Sequence, residues 1–120
     1  MRLSDREWTV LTALWDLGPA ELGAVTAHLH HKTKWSRNTV LTYLSRMEAK
    51  GLVGIDKNIS PHLYHAVIGR EECRKQERRS FLDRVYSGCA GDLIAAFLRE
   101  EPISREELER LKQLLDDMEV

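Results

Sequence analysis

The sequence predicts a mainly α chain with one small hairpin, and three observations predict it. Apolar residues recur at helical spacing in six stretches, each bounded by a capping residue, a glycine or a proline. Only Leu52 to Lys57 and Leu63 to Val67 read as strands, with Asn58-Ile59-Ser60-Pro61-His62 as the turn between them. The last third of the chain then returns to helix, with more leucine, isoleucine and phenylalanine than roughly 50 residues can hide alone.

Ser4-Asp5-Arg6-Glu7 opens the first helix as a capping box, in which Ser4 and Glu7 each satisfy the other's backbone N–H. Trp8, Leu11, Leu14 and Trp15 share one face, and Leu17-Gly18-Pro19 ends the helix with Gly18 as its C-cap. A short second helix is expected from about Ala20 to Leu29, burying Leu22, Val25 and Leu29, with Gly23 small enough to let a neighbouring helix approach. His30 to Lys34 reads as a polar connection, and Trp35 as one or two residues of strand. Ser36 caps a third helix in which Val40, Leu44 and Met47 recur at i, i+4 and i+7, and Gly51 closes it. Three helices and then a hairpin is the order of a winged helix-turn-helix, with the hairpin tip as the wing.

Beyond the hairpin, a long charged helix from Glu71 to about Tyr86 ends in Phe81, Leu82, Val85 and Tyr86, and Ser87-Gly88 breaks it. A fifth helix from Gly91 to about Glu100 is apolar on most sides, and Pro102 ends it. Ser104-Arg105-Glu106-Glu107 is a second capping box, opening a last helix whose Leu108, Leu111, Leu115 and Met118 form a narrow seam suited to helix packing, widened by Leu114. The expected organisation is a winged-helix DNA-binding domain over residues 1–69 and a helical dimerisation region over 70–120. Phe81, Val85, Leu93, Ile94, Phe97, Leu98, Leu108, Leu111, Leu115 and Met118 are the expected dimer contacts.

The outer face of the third helix carries the functional signal. At about 100° per residue, Asn38, Thr39, Thr42, Ser45, Arg46 and Ala49 fall on one exposed arc. An ordinary solvated face carries Lys and Glu. Short polar side chains with a single arginine suit a helix pressed into the major groove. Asn38, Thr39, Thr42, Ser45 and Arg46 are therefore the candidate base readers, and Arg37, Lys50, Lys57 and His62 the candidate backbone contacts. With only Lys57 and His62 on the wing, that element is expected to contribute weakly.

Composition frames this reading. The chain of 120 residues is 42% apolar and 31% charged, as a globular protein is. It has no apolar run near the ~18 residues that span a bilayer, and its first residues lack a signal peptide's apolar core, so a cytoplasmic location is expected. The net charge is −1, low for a DNA binder. Residues 1–69 hold 8 Lys and Arg against 6 Asp and Glu, a net of +2, and residues 70–120 hold 10 against 13, a net of −3. So small an excess gives poor affinity from one copy and calls for two acting together.

Cys73 and Cys89 match no ligand spacing and read as reduced thiols. The His28-x-His30-His31 group is expected to have no cysteine or carboxylate partner nearby and reads as a solvated helix end, so neither a metal nor another cofactor is expected. No nucleophile–base pairing or glycine-rich phosphate loop is visible, which disfavours an enzyme. The reading that competes with DNA binding is a winged-helix protein-interaction module; such a face would more readily display Leu, Phe or Tyr than short polar groups.

Several of these segments together resemble the penicillinase-repressor (BlaI/MecI-like) family of winged-helix transcriptional regulators. They are Leu3-Ser4-x-x-Glu7-Trp8-x-Val10-Leu11-x-x-Leu14-Trp15 and Trp35-Ser36-x-x-Thr39-Val40-x-Thr42-x-Leu44-x-Arg46-Met47-x-x-Lys50-Gly51-Leu52, with Tyr64 and Phe81-Leu82-x-x-Val85-Tyr86-x-Gly88. The resemblance implies a homodimeric repressor on a palindromic double-stranded operator, with a role in antibiotic resistance, released by a signal. In better-studied members that signal is proteolysis in the fifth helix, at an Asn-Phe bond, downstream of β-lactam sensing by a membrane-associated protease. This chain has Ala96-Phe97 there. The copper-responsive branch carries C-terminal cysteine pairs, which are lacking here, and the wing holds Ser60-Pro61-His62 where the family commonly has Gly and Arg.

Overall fold

The chain is described here from a computed structural model, which covers residues 2–118. The element order is α1 (Asp5–Leu17), α2 (Leu22–Thr33), α3 (Arg37–Ala49), β1 (Val53–Asp56), β2 (Leu63–Ala66), α4 (Arg70–Tyr86), α5 (Ala90–Glu100) and α6 (Arg105–Asp117). Six helices and one two-stranded sheet make the mainly α winged helix-turn-helix that the residue pattern predicts.

The capping box of α1 is complete: Ser4 Oγ accepts from Glu7 N–H at 3.2 Å, and Glu7 Oε1 from Ser4 N–H at 2.9 Å. Gly18 ends the helix at φ 73°, a left-handed value that a side chain would strain. On α6 only half of the expected box forms, with Ser104 Oγ accepting from Glu107 N–H at 3.1 Å.

The second helix differs from expectation at both ends. Ala20 lies outside it and exchanges two backbone hydrogen bonds with Tyr64, at 3.0 and 2.7 Å, adding a one-residue third strand to the hairpin. At the other end, His30 to Thr33 continue the helix. His30, His31 and Lys32 fall in its last turn, where cations complement the helix dipole, and Lys34 caps it in a left-handed conformation at φ 61°. Trp35 forms no strand; its ring stacks on Tyr43 with centroids 4.8 Å apart. Leu22 is half-buried rather than buried.

Two compact units result, one up to Glu77 and one from Arg78, so α4 begins in the first and ends in the second. The first unit owns the core: Val10, Leu11 and Leu14 of α1, Val25 and Leu29 of α2, Val40, Leu44 and Met47 of α3, with Leu52, Val53, Tyr64 and Cys73. β1 and β2 pair antiparallel from Val53 opposite Ala66 to Asp56 opposite Leu63. In the second unit, among the described residues, α5 and α6 bury no residue. Among the described residues no helix is long and apolar enough to cross a membrane.

Candidate nucleic-acid interface

α3 is seated by its inner face. Val40 and Leu44 are 0% exposed and Met47 1%, packed against α1, α2 and β1. Ser36 Oγ accepts from Thr39 N–H at 3.2 Å, and Gly51 takes φ 80° where the chain leaves for β1. The remaining arc is thereby turned outward: Asn38, Thr42, Ser45, Arg46 and Ala49 are exposed, and Thr39 is half-buried. The two threonines are not equivalent to free hydroxyls. Thr42 donates to the Asn38 carbonyl at 2.9 Å, so outward it offers a lone pair and a methyl group. Thr39 shares a 3.1 Å hydrogen bond with the Ser36 hydroxyl. Arg46 is exposed, and among the described residues its guanidinium has no partner, which leaves its donors for an outside acceptor.

The candidate backbone contacts divide by what already holds them. Lys50 Nζ lies 2.7 Å from Oε2 of Glu7, whose side chain is only 9% exposed. Burial alone would raise the Glu7 carboxyl, but the Lys50 ammonium and the Ser4 cap outweigh it and hold the group below its ordinary value. Lys50 thus serves first as a tie between α3 and α1. Lys57 stands 3.9 Å from Glu48, a loose and exposed pair. Arg37 and His62 are exposed and both line an open cleft of about 530 Å³, with Leu22, Gly23, Leu41, Pro61 and Tyr64 also on its wall.

Several residues near the site carry no signal in the sequence. Leu41, on the flank of α3 beside this cleft, is 38% exposed. On the other side of α3, Arg6 donates to the Tyr43 hydroxyl at 2.8 Å, fixing the Trp35–Tyr43 stack to α1. Contrary to the expectation that the histidine group has no carboxylate nearby, Asp16 of α1 lies 3.5 Å from His28; it also accepts from Arg70 at 2.6 Å, which joins α1, α2 and the first turn of α4. The Arg70 guanidinium holds the Asp16 carboxyl below its ordinary value and sits 5.5 Å over the Trp15 ring. Trp15 Nε1–H completes this anchor by donating to the Ile68 carbonyl at 3.0 Å. Pairing across 54 residues, as between Asp16 and Arg70, leaves no local signal in sequence.

Burial pushes the Cys73 thiol up, which makes it a poor nucleophile, whereas Cys89 is exposed at the start of α5. The residues expected at a dimer seam lie mostly open in the single chain. Val85 (53%), Ile94 (51%), Phe97 (52%), Leu98, Leu108, Leu115 (60%) and Met118 are exposed, while Phe81, Leu93 and Leu111 are half-buried. The Ala96–Phe97 bond lies within the regular helix α5, with the Phe97 carbonyl accepting from Glu101 N–H at 3.0 Å.

Residues 3–117 match the family described as Penicillinase repressor. The methicillin resistance regulatory protein MecI of Staphylococcus aureus (strain N315) is 24% identical over 114 residues, 95% of this chain and 93% of that protein. The penicillinase repressor of Bacillus licheniformis is 28% identical over 116 residues, 97% of this chain and 91% of that protein. Among solved structures, BpsR of Bordetella bronchiseptica, in work on regulation of its DNA binding by 6-hydroxynicotinic acid, is 19% identical with a TM-score of 0.49, covering 98% of this chain and 75% of that one.

Proposed function

The chain belongs to the penicillinase-repressor family and is a DNA-binding transcriptional repressor; from that premise we propose that it acts in the cytoplasm as a homodimer on a palindromic operator and is released by a signal. The observation that carries the DNA-reading half of this proposal is α3 itself. Its apolar stripe is fully buried, and its outer arc carries short polar groups and one arginine. In this reading Asn38, Thr39, Thr42, Ser45 and Arg46 face base edges in the major groove, with Arg46 suited to a bidentate contact on guanine. Arg37, Lys57 and His62 meet phosphates, and Lys50 does so only as far as Glu7 shares it.

Dimerisation supplies what the charge lacks. Residues 1–69 hold the functional role of binding DNA and residues 70–120 that of pairing, with Val85 and the apolar faces of α5 and α6 covered by a second copy. Two reading helices then meet half-sites about one helical turn, ~34 Å, apart. Release by proteolysis at Ala96–Phe97, downstream of β-lactam sensing by a membrane-associated protease, would remove α6 and part of this surface. The bond lies in a helix, so α5 must unwind locally before a protease can take it.

A salt-dependent mobility shift on the DNA upstream of the chain's own gene tests the reading. Tight binding that weakens steeply between about 50 and 200 mM salt supports it. Binding that is absent, or flat in salt, would favour the interaction-module alternative.

A further inference from the structure

α3 carries one side chain out of character with the surface around it. Leu41 is 38% exposed, whereas the other large apolar side chains of the same helix, Val40, Leu44 and Met47, are 0–1% exposed. At about 100° per residue it stands roughly 40° from Ser45, and Asn38 and Ser45 are its neighbours at i−3 and i+4. It therefore borders the arc of short polar groups, on the side where the cleft toward the wing opens. Arg37, Pro61 and His62 line that cleft with it. Leu22 and Tyr64 share the cleft and account for the covered part of Leu41, but the exposed part has no such partner among the described residues.

The chemistry of the major groove supplies one. The groups that base pairs present there are hydrogen-bond donors and acceptors, the small C5–H of cytosine and the 5-methyl of thymine, and the methyl is the largest apolar group among them. An aliphatic side chain set against a donor or acceptor leaves that group unpaired on losing its water, which is costly. Against the thymine methyl it buries apolar surface on both sides. Arg37 and His62 line the same cleft and are the candidate phosphate contacts beside Leu41.

We propose that Leu41 is a specificity residue that reads thymine in each operator half-site through its 5-methyl group. The inference rests on the proposal that α3 reads the operator, and it adds a thymine, on the wing side of the bases met by Asn38 and Ser45, to the sequence preferred.

Deoxyuridine substitution tests it, because replacing thymine by deoxyuridine deletes only the methyl group. The probe is the duplex segment protected by the unmodified full-length chain in a footprint of the DNA upstream of its gene, with each thymine replaced in turn. One symmetry-related pair of thymines is expected to stand out, each replacement weakening binding about fourfold, the worth of one buried methyl-sized group. Leu41→Ala is expected to weaken binding to the thymine duplex and to abolish the difference between thymine and deoxyuridine at that pair alone. If no replacement changes affinity, or if Leu41→Ala keeps the full methyl effect, Leu41 reads no thymine although α3 still reads DNA. If the unmodified chain protects no segment, the reading by α3 falls, and this inference with it. Far-ultraviolet circular dichroism of Leu41→Ala checks that the exposed position tolerates truncation, and the deoxyuridine series on the unmodified chain does not depend on that variant.

Discussion

Glu7 Oε2 and Lys50 Nζ lie 2.7 Å apart, so the first turn of α1 holds the last residue before the chain leaves α3. The carboxylate does two tasks at once, since its other oxygen caps Ser4 N–H at 2.9 Å. A side chain 9% exposed and committed to two partners from different helices fixes how α3 is set on the domain.

Glu7→Gln keeps an acceptor for Ser4 but loses the ion pair, and is expected to lower stability by about 1–2 kcal/mol at neutral pH. Lys50→Met should lose much the same, and the double variant little more, because both single changes remove one interaction. The pH dependence has a definite sign. Glu7 ionises more readily in the folded chain, so its contribution is complete above the ordinary value of 4.5 and is lost as pH falls through its lowered folded value. Urea midpoints of the unmodified chain and Glu7→Gln should therefore converge on acidification below that value and differ at pH 7. A gap that stays constant across this range would show that Glu7 is not the group responsible.

Arg46→Ala is expected to weaken operator binding by ~1–3 kcal/mol per half-site while leaving the urea midpoint unchanged. The side chain is exposed and supports nothing in the core. Mobility shifts beside a denaturation curve separate the two effects, and unchanged affinity would remove Arg46 from the reading surface.

Phosphate binding should follow the pairing seen in the structure. Lys57 is 64% exposed and 3.9 Å from Glu48, so it is easily recruited. In a dimer, Lys57→Ala should flatten the slope of log affinity against log salt by about 2, at ~0.9 for each phosphate no longer neutralised. Lys50, held by Glu7, should change the slope less. Titrations at four or five salt concentrations give both slopes, and equal changes would mean that Lys50 leaves Glu7 on binding.

What was legible in the sequence was what is local. The Ser4 box, the Ser36 cap, the Gly18 stop and the i, i+4, i+7 stripe of α3 each depend on residues within a turn or two, and each stands in the structure. The bridge of Ala20 to Tyr64 was not legible, because it joins residues far apart in sequence and Ala20 carries no strand signal of its own. The continuation of α2 through His30 to Thr33 escapes a sequence reading for a different reason. A run of polar residues looks like a loop, although basic residues are favoured in the last turn of a helix. At the candidate interface the outward arc of α3 was visible from periodicity alone. That Lys50 already has a partner in Glu7, and that Leu41 stands half in solvent, depend on tertiary packing, and no pattern of spacing carries that.

The single chain leaves several large apolar side chains of α4, α5 and α6 open to water. Phe97 is 52% exposed on α5 and Leu115 60% on α6, and neither supports a buried core in the second unit. Full burial of such a side chain is worth ~1.5–3 kcal/mol, so a surface that also holds Val85, Ile94, Leu98 and Met118 is costly to leave in water. Replacing Phe97 and Leu115 together by Asp should give monomers with the helical signal intact, since both positions are already exposed in the protomer. Leu111, half-buried within the protomer, is a worse choice because its loss would disturb the fold as well. Operator affinity of the double variant should fall by well over a hundredfold, as each remaining copy binds one half-site without the gain from linkage. Sedimentation at micromolar concentration checks the first outcome and a mobility shift the second. A monomeric unmodified chain that still binds the operator tightly would show that the low net charge is offset by some means other than pairing.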